Sequence, residues 1–368
     1  MKIIATKENL LTGIQTVQKA ISNKNTIPIL SGIYMKAKNN KLYFAATDLE
    51  IGIECKVPVQ VLEEGEIVIP ARHFSELVRK LPNTKITFTY LPEIIGLNIQ
   101  YDEAEVDLKG WLGEEFPVIP DLEEEYCFEM DVNLLRNMIK QTIFATAVDD
   151  SRPIFTGALF EIEGNGLNIV TTDTHRLALR TGKINTSYDK GLNVIVPGKT
   201  LSEVSRIAKE EELIKIKGNY NQISFETEEA RIISRIIDGK FPNYRQVIPQ
   251  EYKTFVKTKT RAFQEIIERA NLFTNEKDGT SIIKVSISDG LLQVSSKSQI
   301  GKVEEKLPIY VEGESIEISF NAKYLLDALK VIDSEDLNIT LTGSLSPGII
   351  KPGNHENFIY LILPLRTV

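Results

Sequence analysis

The sequence predicts an α+β protein made of three copies of one module, each with two amphipathic helices packed on antiparallel sheets. Three observations carry that expectation. A stretch from Leu167 to Arg180 alternates apolar and polar residues, breaks at Thr172-Asp173-Thr174-His175, and resumes. Diluted copies at Leu42–Ile51 and Leu292–Ile300 place Asp48, Asp173 and Ser298 at one constant spacing, 125 residues apart by their numbers. The strand-like segments also lack the crossover helices that parallel sheets need, so the sheets should be antiparallel. A period this long far exceeds that of solenoid repeats, so each module is expected to bury its own core. The repeat boundaries fall at 1–122, 123–250 and 251–368.

In module one, Leu10, Leu11, Ile14, Val17 and Ile21 follow helical spacing. Thr26-Ile27-Pro28-Ile29-Leu30 breaks the helix and leads into strands near 30–37 and 41–48. Ile67-Val68-Ile69-Pro70 is a short strand with a stop. Phe74, Leu77, Val78 and Leu81 then mark a second helix, which Pro82-Asn83 ends. Ile86–Tyr90 and Leu97–Tyr101 alternate as half-buried strands. Phe116-Pro117 closes the module before the acidic linker Asp121–Glu125.

Module two repeats the order. Leu134, Leu135, Met138 and Ile139 mark one helix, and Leu201, Val204 and Ala208 the other. Val194–Pro197 and Ile214–Lys217 are strands, and Phe241-Pro242 is the closing pair. In module three a helix starts near Thr260 with Phe263, Ile266, Ile267 and Ala270. Its second helix carries Leu325, Ala328, Leu329 and Ile332. Ile316–Phe320, Leu337–Leu341 and the apolar tail Tyr360–Leu365 supply strands. About eight strands per module are expected. Their open edges must be paired or covered, and pairing around a closed circle would do both.

Composition narrows the function. The 368 residues are 42% hydrophobic and 26% charged, as in a globular chain. Cys55 and Cys127 have no metal-like spacing and suggest no disulfide framework, which fits a reducing cytoplasm. The start reaches charge at Lys2 and Lys7 before any long apolar run, so no signal peptide or membrane span is read. A formal net charge of −8 argues against simple electrostatic adhesion to nucleic acid, although an acidic shell can hide a local basic face.

Catalytic motifs are weak. Gly198-Lys199-Thr200 resembles the end of a phosphate loop, but Asn193 stands where the first glycine belongs. His175 beside Asp173 could do acid–base work, yet no nucleophile elbow is near, and turn hydrogen bonds are the better reading. His73 and His355 are isolated, so no metal site and no cofactor are expected. Basic residues, in contrast, recur on the polar faces or ends of helices in all three modules: Lys7, Lys19, Lys24, Arg72, Arg79, Lys80, Arg136, Lys140, Arg152, Lys199, Arg206, Lys209, Lys323 and Lys330. Acids concentrate elsewhere, in 63–66, 121–125, 226–229 and 312–317. One continuous basic surface would contact phosphates without reading sequence.

With these elements in place, the chain resembles the bacterial sliding clamps, the beta subunits of DNA polymerase III holoenzyme. The resemblance is carried by Thr26–Leu30, Thr172–Leu177, Gly239–Arg245, Asn275-Glu276-Lys277 and Leu363–Arg366, in order and over essentially the whole chain. It implies a non-catalytic head-to-tail homodimer that encircles duplex DNA as a processivity factor, with twelve helices lining the hole. The implied partners are DNA, the DNA polymerase III alpha subunit, the clamp loader and other proteins with a clamp-binding motif, and no membrane.

The resemblance also assigns residues. Its peptide pocket matches Phe155, Thr172, Thr174, His175, Arg176, Leu177, Pro242, Arg245, Val247, Asn321, Tyr324, Ser346, Leu361, Ile362, Leu363, Pro364, Leu365 and Arg366. Within it, Leu177, Val247, Ile362 and Leu365 would form an apolar floor, while Arg176, Arg245 and Arg366 hold a peptide's polar groups. Thr174 stands where some members have glycine, and Gln246 where others have arginine. Family DNA contacts match Lys24 and the loop Asp149-Asp150-Ser151-Arg152. To these the helix-borne Arg79, Arg136, Lys140, Lys199 and Arg206 are added. The dimer seam resembles Val106 and Leu108 meeting Leu272 and Phe273, with Glu103 and Glu105 paired to Lys302 or Lys306. Two other readings stay open on the residues: a monomeric peptide-binding scaffold, and a hydrolase using Asp173 and His175.

Overall fold

The computed structural model describes residues 1–21, 27–149, 151–186, 191–207, 213–274, 281–353 and 357–366. Repeat one holds β1 (Lys2–Thr6), α1 (Lys7–Val17), β2 (Gly32–Lys38), β3 (Lys41–Thr47), β4 (Ile51–Pro58), β5 (Gln60–Glu63), β6 (Gly65–Pro70), α2 (Ala71–Lys80), β7 (Lys85–Leu91), β8 (Gly96–Tyr101), β9 (Ala104–Lys109) and β10 (Trp111–Leu112). Repeat two holds β11 (Tyr126–Asp131), α3 (Val132–Thr142), β12 (Gly157–Glu163), β13 (Gly166–Thr172), β14 (Arg176–Lys183), β15 (Asn185–Thr186), β16 (Leu192–Pro197), α4 (Gly198–Ile207), β17 (Leu213–Gly218), β18 (Gln222–Glu226) and β19 (Ala230–Arg235). Repeat three holds β20 (Thr254–Lys259), α5 (Thr260–Asn271), β21 (Ile282–Ser288), β22 (Leu291–Ser298), β23 (Gly301–Pro308), β24 (Tyr310–Gly313), β25 (Ile316–Asn321), α6 (Ala322–Leu329), β26 (Asp336–Leu341), β27 (Gly348–Pro352) and β28 (Phe358–Ile362).

Two α-helices per repeat match the expectation. The strands number ten, nine and nine among the described residues rather than about eight. The excess lies in pieces such as β5, β10, β15 and β24, too short to carry a periodic signal.

The helices start where local chemistry lets them. Thr6 caps α1 by accepting the Asn9 N–H at 3.3 Å, and Asn321 caps α6 by accepting the Lys323 N–H at 3.1 Å. Arg79 and Lys80 occupy the last turn of α2, where the helix dipole favours cations. In α1 the buried face runs through Leu10, Gly13, Ile14 and Val17 with Leu11 only half-buried, and Gly13 lets the helix approach Phe44, since a Cβ there would lie 2.3 Å from its ring. The hairpin turns repeat with the modules. Asn39, Gly164 and Asp289 sit at equivalent positions with φ of 51°, 57° and 51°, the left-handed geometry that tight hairpins need.

Compaction divides the chain into two units: Met1–Asn133 with Asn185–Tyr188 and Ser202–Ile236, and Leu134–Ile184 with Asp189–Leu201 and Ile237–Val368. Strand pairing is antiparallel throughout. The first unit has a five-stranded sheet, β5-β1-β7-β8-β9, and a ten-stranded one, β10-β6-β2-β3-β4-β19-β18-β17-β11-β15. The second has a nine-stranded sheet, β16-β12-β13-β14-β28-β27-β26-β20-β24, and a four-stranded one, β23-β22-β21-β25.

Each large sheet is continuous across a repeat boundary. In the first unit β4 pairs β19, with Ile53 opposite Ile232. In the second β14 pairs β28, with Leu177 opposite Leu361. Edge pairing therefore covers open strands within the chain, as the sequence requires. It also has a consequence for the core. Each module was expected to bury its own core, but Ala145 and Ala178 of repeat two lie in one apolar cluster with Phe263, Leu325 and Tyr360 of repeat three. A sheet shared by two repeats buries its two faces jointly, so compaction follows sheets rather than repeats.

Candidate functional site

In the second unit, the turn between β13 and β14 organises a small cleft. Asp173 holds the turn: its Oδ1 accepts the backbone N–H groups of His175 and Arg176, both at 3.0 Å, and its Oδ2 accepts Arg176 Nε at 2.9 Å. Thr172 Oγ1 donates to the Arg176 carbonyl at 2.6 Å and accepts the Thr174 N–H at 3.1 Å. The turn puts Thr174 at φ 76°, where a β-branched residue is strained. Both Asp173 oxygens thus accept hydrogen bonds within the turn, and the His175 ring lies against Tyr324, so the structure shows no hydrogen bond between the two side chains.

Strand alternation then sorts the side chains. Leu177 on β14 and Leu361 on β28 face one side, with Phe155, Phe241, Tyr244 and Val170. Ala178, Tyr360 and Ile362 face the other and join the core of repeat three. The chain past β28 is fastened by Leu363 N–H to His175 O at 2.9 Å and Leu365 N–H to Ser319 O at 2.8 Å. The result is a cavity of about 200 Å³ lined by Phe155, Thr172, Thr174, Arg176, Leu177, Phe241, Pro242, Asn243, Tyr244, Val247, Leu361 and Leu363. Phe155 and Phe241 meet edge to face at 6.2 Å. Val247 and Leu363 stay 51% and 39% exposed, so apolar surface is left open at the mouth.

Nine of the eighteen residues assigned to the pocket line this cavity. Ile362 and Leu365, expected in the floor, do not; Leu361 and Leu363 occupy that place by strand parity. Ile362 is 1% exposed in the core. Asn321 is spent as the α6 cap. His175 lies beside the cavity, its ring 6.5 Å from that of Tyr324, while Ser346, Pro364 and Arg366 are partly or fully exposed outside it. Phe241, Asn243 and Tyr244 line the cavity without having been assigned to it. Phe241 was visible in a repeated closing pair and the run Gly239–Arg245 as a family motif, but neither as a wall.

Two arginines expected to hold a peptide hold the fold. Arg176 is 8% exposed. Besides Asp173, it donates from Nη1 to Asp327 Oδ2 at 2.6 Å and from Nη2 to Phe144 O at 2.7 Å, and it stacks 4.2 Å from the Tyr324 ring centre. Burial disfavours its cation, but Asp327, Tyr360 and Asp173 keep its pKa above the ordinary value. Arg245 forks onto Glu161, Nη1 to Oε1 at 2.9 Å and Nη2 to Oε2 at 2.7 Å. Glu161 also accepts the Tyr244 hydroxyl at 2.6 Å and Asn168 Nδ2 at 3.1 Å. This network pins the short helix Tyr244–Val247, one wall of the cleft.

Burial would raise the Glu161 pKa, but hydrogen bonds from Arg245, Tyr244 and Asn168 hold it below its ordinary 4.5. A carboxylate lowered on folding stabilises at pH above its unfolded value, and that contribution disappears as pH falls through the lower folded value. Stability should therefore drop with acidification below 4.5. Glu161→Gln should cost about 2 kcal/mol at neutral pH and flatten that acid slope, read by chemical denaturation across pH.

The charged and seam residues are placed as follows. Arg79, Lys140, Lys199 and Arg206 are exposed on α2, α3 and α4, Arg136 is half-buried on α3, and Arg152 is exposed before β12. Lys140 lies 3.8 Å from Asp333, and Arg206 2.9 Å from Glu203. Lys24, Lys209, Asp150 and Asn275-Glu276-Lys277 lie outside the described residues. β9 ends the five-stranded sheet, with Glu103 and Glu105 exposed and Val106 and Leu108 half-buried. β23 ends the four-stranded sheet and carries Lys302 and Lys306. Lys302 meets Glu304 at 2.6 Å, and Leu272 is 69% exposed beyond α5. Among the described residues no acid, histidine and cysteine cluster could hold a metal, and no helix is long and apolar enough to cross a membrane.

Comparison with known proteins gives one answer along the whole chain. Residues 1–120, 129–243 and 245–366 match the N-terminal, central and C-terminal domain models of the DNA polymerase III beta subunit. The beta sliding clamp of Bacillus subtilis is 36% identical over 379 residues, covering 100% of both chains. That of Staphylococcus aureus is 34% identical over 378 residues with the same coverage. The crystal structure of the Bacillus subtilis clamp superposes with a TM-score of 0.96 at 36% identity, covering 100% of both chains.

Proposed function

The chain belongs to the DNA polymerase III beta subunit family, and on that premise we propose how its residues serve a sliding clamp. As a sliding clamp it is a non-catalytic processivity subunit of replication: it dimerises, encircles DNA, and binds the polymerase and the clamp loader. The module boundaries lie at 122 and 250, and its place is the cytoplasm, at the nucleoid.

The cleft of the second unit is the peptide site. A partner's apolar side chain enters between Leu177, Val247, Leu361 and Leu363, while Arg176 and Arg245 position the walls. The open apolar mouth at Val247 and Leu363 is the observation that carries this assignment. His175, Tyr324, Ser346, Pro364 and Arg366, outside the cavity lining, receive the rest of the peptide. At the seam, β9 of one copy pairs with β23 of the other. That pairing satisfies two terminal strands and brings Val106 and Leu108 to Leu272 and Phe273, with Glu103 and Glu105 near Lys302 or Lys306.

Arg79, Arg136, Lys140, Arg152, Lys199 and Arg206, with Lys24, face phosphates. Such contacts are sequence-blind, which sliding needs. Replacing Arg79, Arg136 and Lys199 together by glutamine should weaken retention on DNA at low salt. It should also reduce the salt slope by about one per lost phosphate contact. An unchanged slope would place these residues off the DNA.

A further inference from the structure

The cleft just described has a structural twin in the first unit. At the turn between β3 and β4, Asp48 Oδ1 accepts the Glu50 and Ile51 N–H groups at 3.1 and 2.8 Å, as Asp173 does for His175 and Arg176. Thr47 Oγ1 donates to Ile51 O at 3.0 Å and accepts the Leu49 N–H at 3.0 Å, repeating Thr172. Leu49 has φ 73°, beside 76° at Thr174. Arg235 N–H reaches Glu50 O at 2.9 Å, as Leu363 N–H reaches His175 O at 2.9 Å.

The twin turn also frames a cavity, of about 260 Å³, lined among others by Leu49, Ile51, Val118, Ile119, Ile233 and Arg235. Its mouth also exposes apolar side chains, set among more polar neighbours than in the first cleft. Val118, where the first cleft has Asn243, is 89% exposed, and Leu49, where it has Thr174, is 49% exposed. A monomeric surface gains nothing from two such side chains at one cavity mouth. Two charges border them. Glu50 takes the place of His175 and Arg235 that of Leu363; both are exposed, and neither side chain pairs with another described residue.

We propose that this second cleft is a peptide-docking site for an extended segment of a partner protein whose apolar anchor lies between a cationic and an anionic residue. The anchor fills the space between Ile51, Ile119 and Ile233 under Leu49 and Val118. The cation meets Glu50 and the anion Arg235, so the charges at the mouth select a different peptide from the first cleft. The proposal rests on the first cleft's peptide role only for the comparison, and the test separates the two.

The probe is an acetylated, amidated tetrapeptide reading lysine, leucine, leucine, aspartate, with alanine in place of both charged residues as control. It is titrated into the full-length dimer labelled at isoleucine methyls. Shifts at Ile51, Ile119 and Ile233 are expected, weaker with the control. Val118→Glu, at an exposed position that folding does not need, should reduce affinity there at least tenfold, about one decade in Kd. Glu50→Lys should remove the advantage of the charged peptide over its control. Val247→Glu, in the first cleft, should leave these shifts intact. Shifts confined to Ile349 and Ile359, near the first cleft, or affinity unchanged in Val118→Glu, would overturn the second site. Shifts at Ile349 and Ile359 that survive Val247→Glu would count against the first cleft alone.

Discussion

Deleting residues 363–368 should abolish partner-peptide binding while leaving the dimer intact. Leu363 is part of the cavity lining, and its N–H ties the tail to His175 O at 2.9 Å. Leu365 fastens the next turn to Ser319 O at 2.8 Å. Without them the mouth loses its apolar lip and the His175 carbonyl loses its partner. Residues at the centre of an apolar pocket carry most of the binding energy in such interfaces, so the loss should be at least about 100-fold, or roughly 2.7 kcal/mol. The seam strands β9 and β23 lie elsewhere in sequence, so the dimer should persist at close to twice 41.4 kDa. Peptide binding by fluorescence anisotropy and mass by sedimentation read the two halves. Retained affinity would displace the peptide from this cleft.

The second large effect is at Arg176. One guanidinium satisfies Asp173, Asp327 and the Phe144 carbonyl, and lies over Tyr324. Arg176→Met fills the volume but leaves Asp173, with 12% of its side chain exposed, facing no cation. Removing one member of a buried ion pair costs about 3 kcal/mol or more. Asp327 is 38% exposed and can recover water, so the low end applies. Arg176→Lys should rescue little, because an ammonium cannot fork between acceptors on three sides. The turn that sets Leu177 and Thr174 should loosen with it, so peptide affinity falls as stability does. A loss below about 1 kcal/mol in denaturant titration would mean that Arg176 is not the clamp of this turn.

What the sequence made legible follows from the range over which its signals act. Helices were legible because Phe74, Leu77 and Val78, or Phe263, Ile266 and Ile267, encode a face within two turns; α5 begins at Thr260 as expected. The repeat was legible in its first two copies because the same turn chemistry recurs at Asp48 and Asp173, and in the third through the equal spacing to Ser298.

The phase of the C-terminal strand was not. Tyr360–Leu365 is apolar at nearly every position, so alternation carries no sign, and only pairing with β14 sets Leu361 toward the cleft and Ile362 away from it. The structural partners of the arginines were hidden for another reason. Arg176 meets Asp327 across 151 residues and Arg245 meets Glu161 across 84, and no local pattern announces such partners. Of the unassigned walls, Tyr244 depends on the same distant Glu161, and Phe241 on Phe155, 86 residues away by their numbers. Of the family-implied residues, the cleft positions in the turn were the most legible, since Thr172, Thr174 and Leu177 line the cavity as the motif suggests.

The central claim is topological: two copies hold DNA by surrounding it. The direct measurement is retention after loading onto a nicked circular plasmid, compared with the same plasmid linearised. Bound clamp should stay on the circle through gel filtration at elevated salt and run off the linear molecule through its ends. Equal loss from both forms would contradict encirclement and leave a protein that merely adheres to DNA.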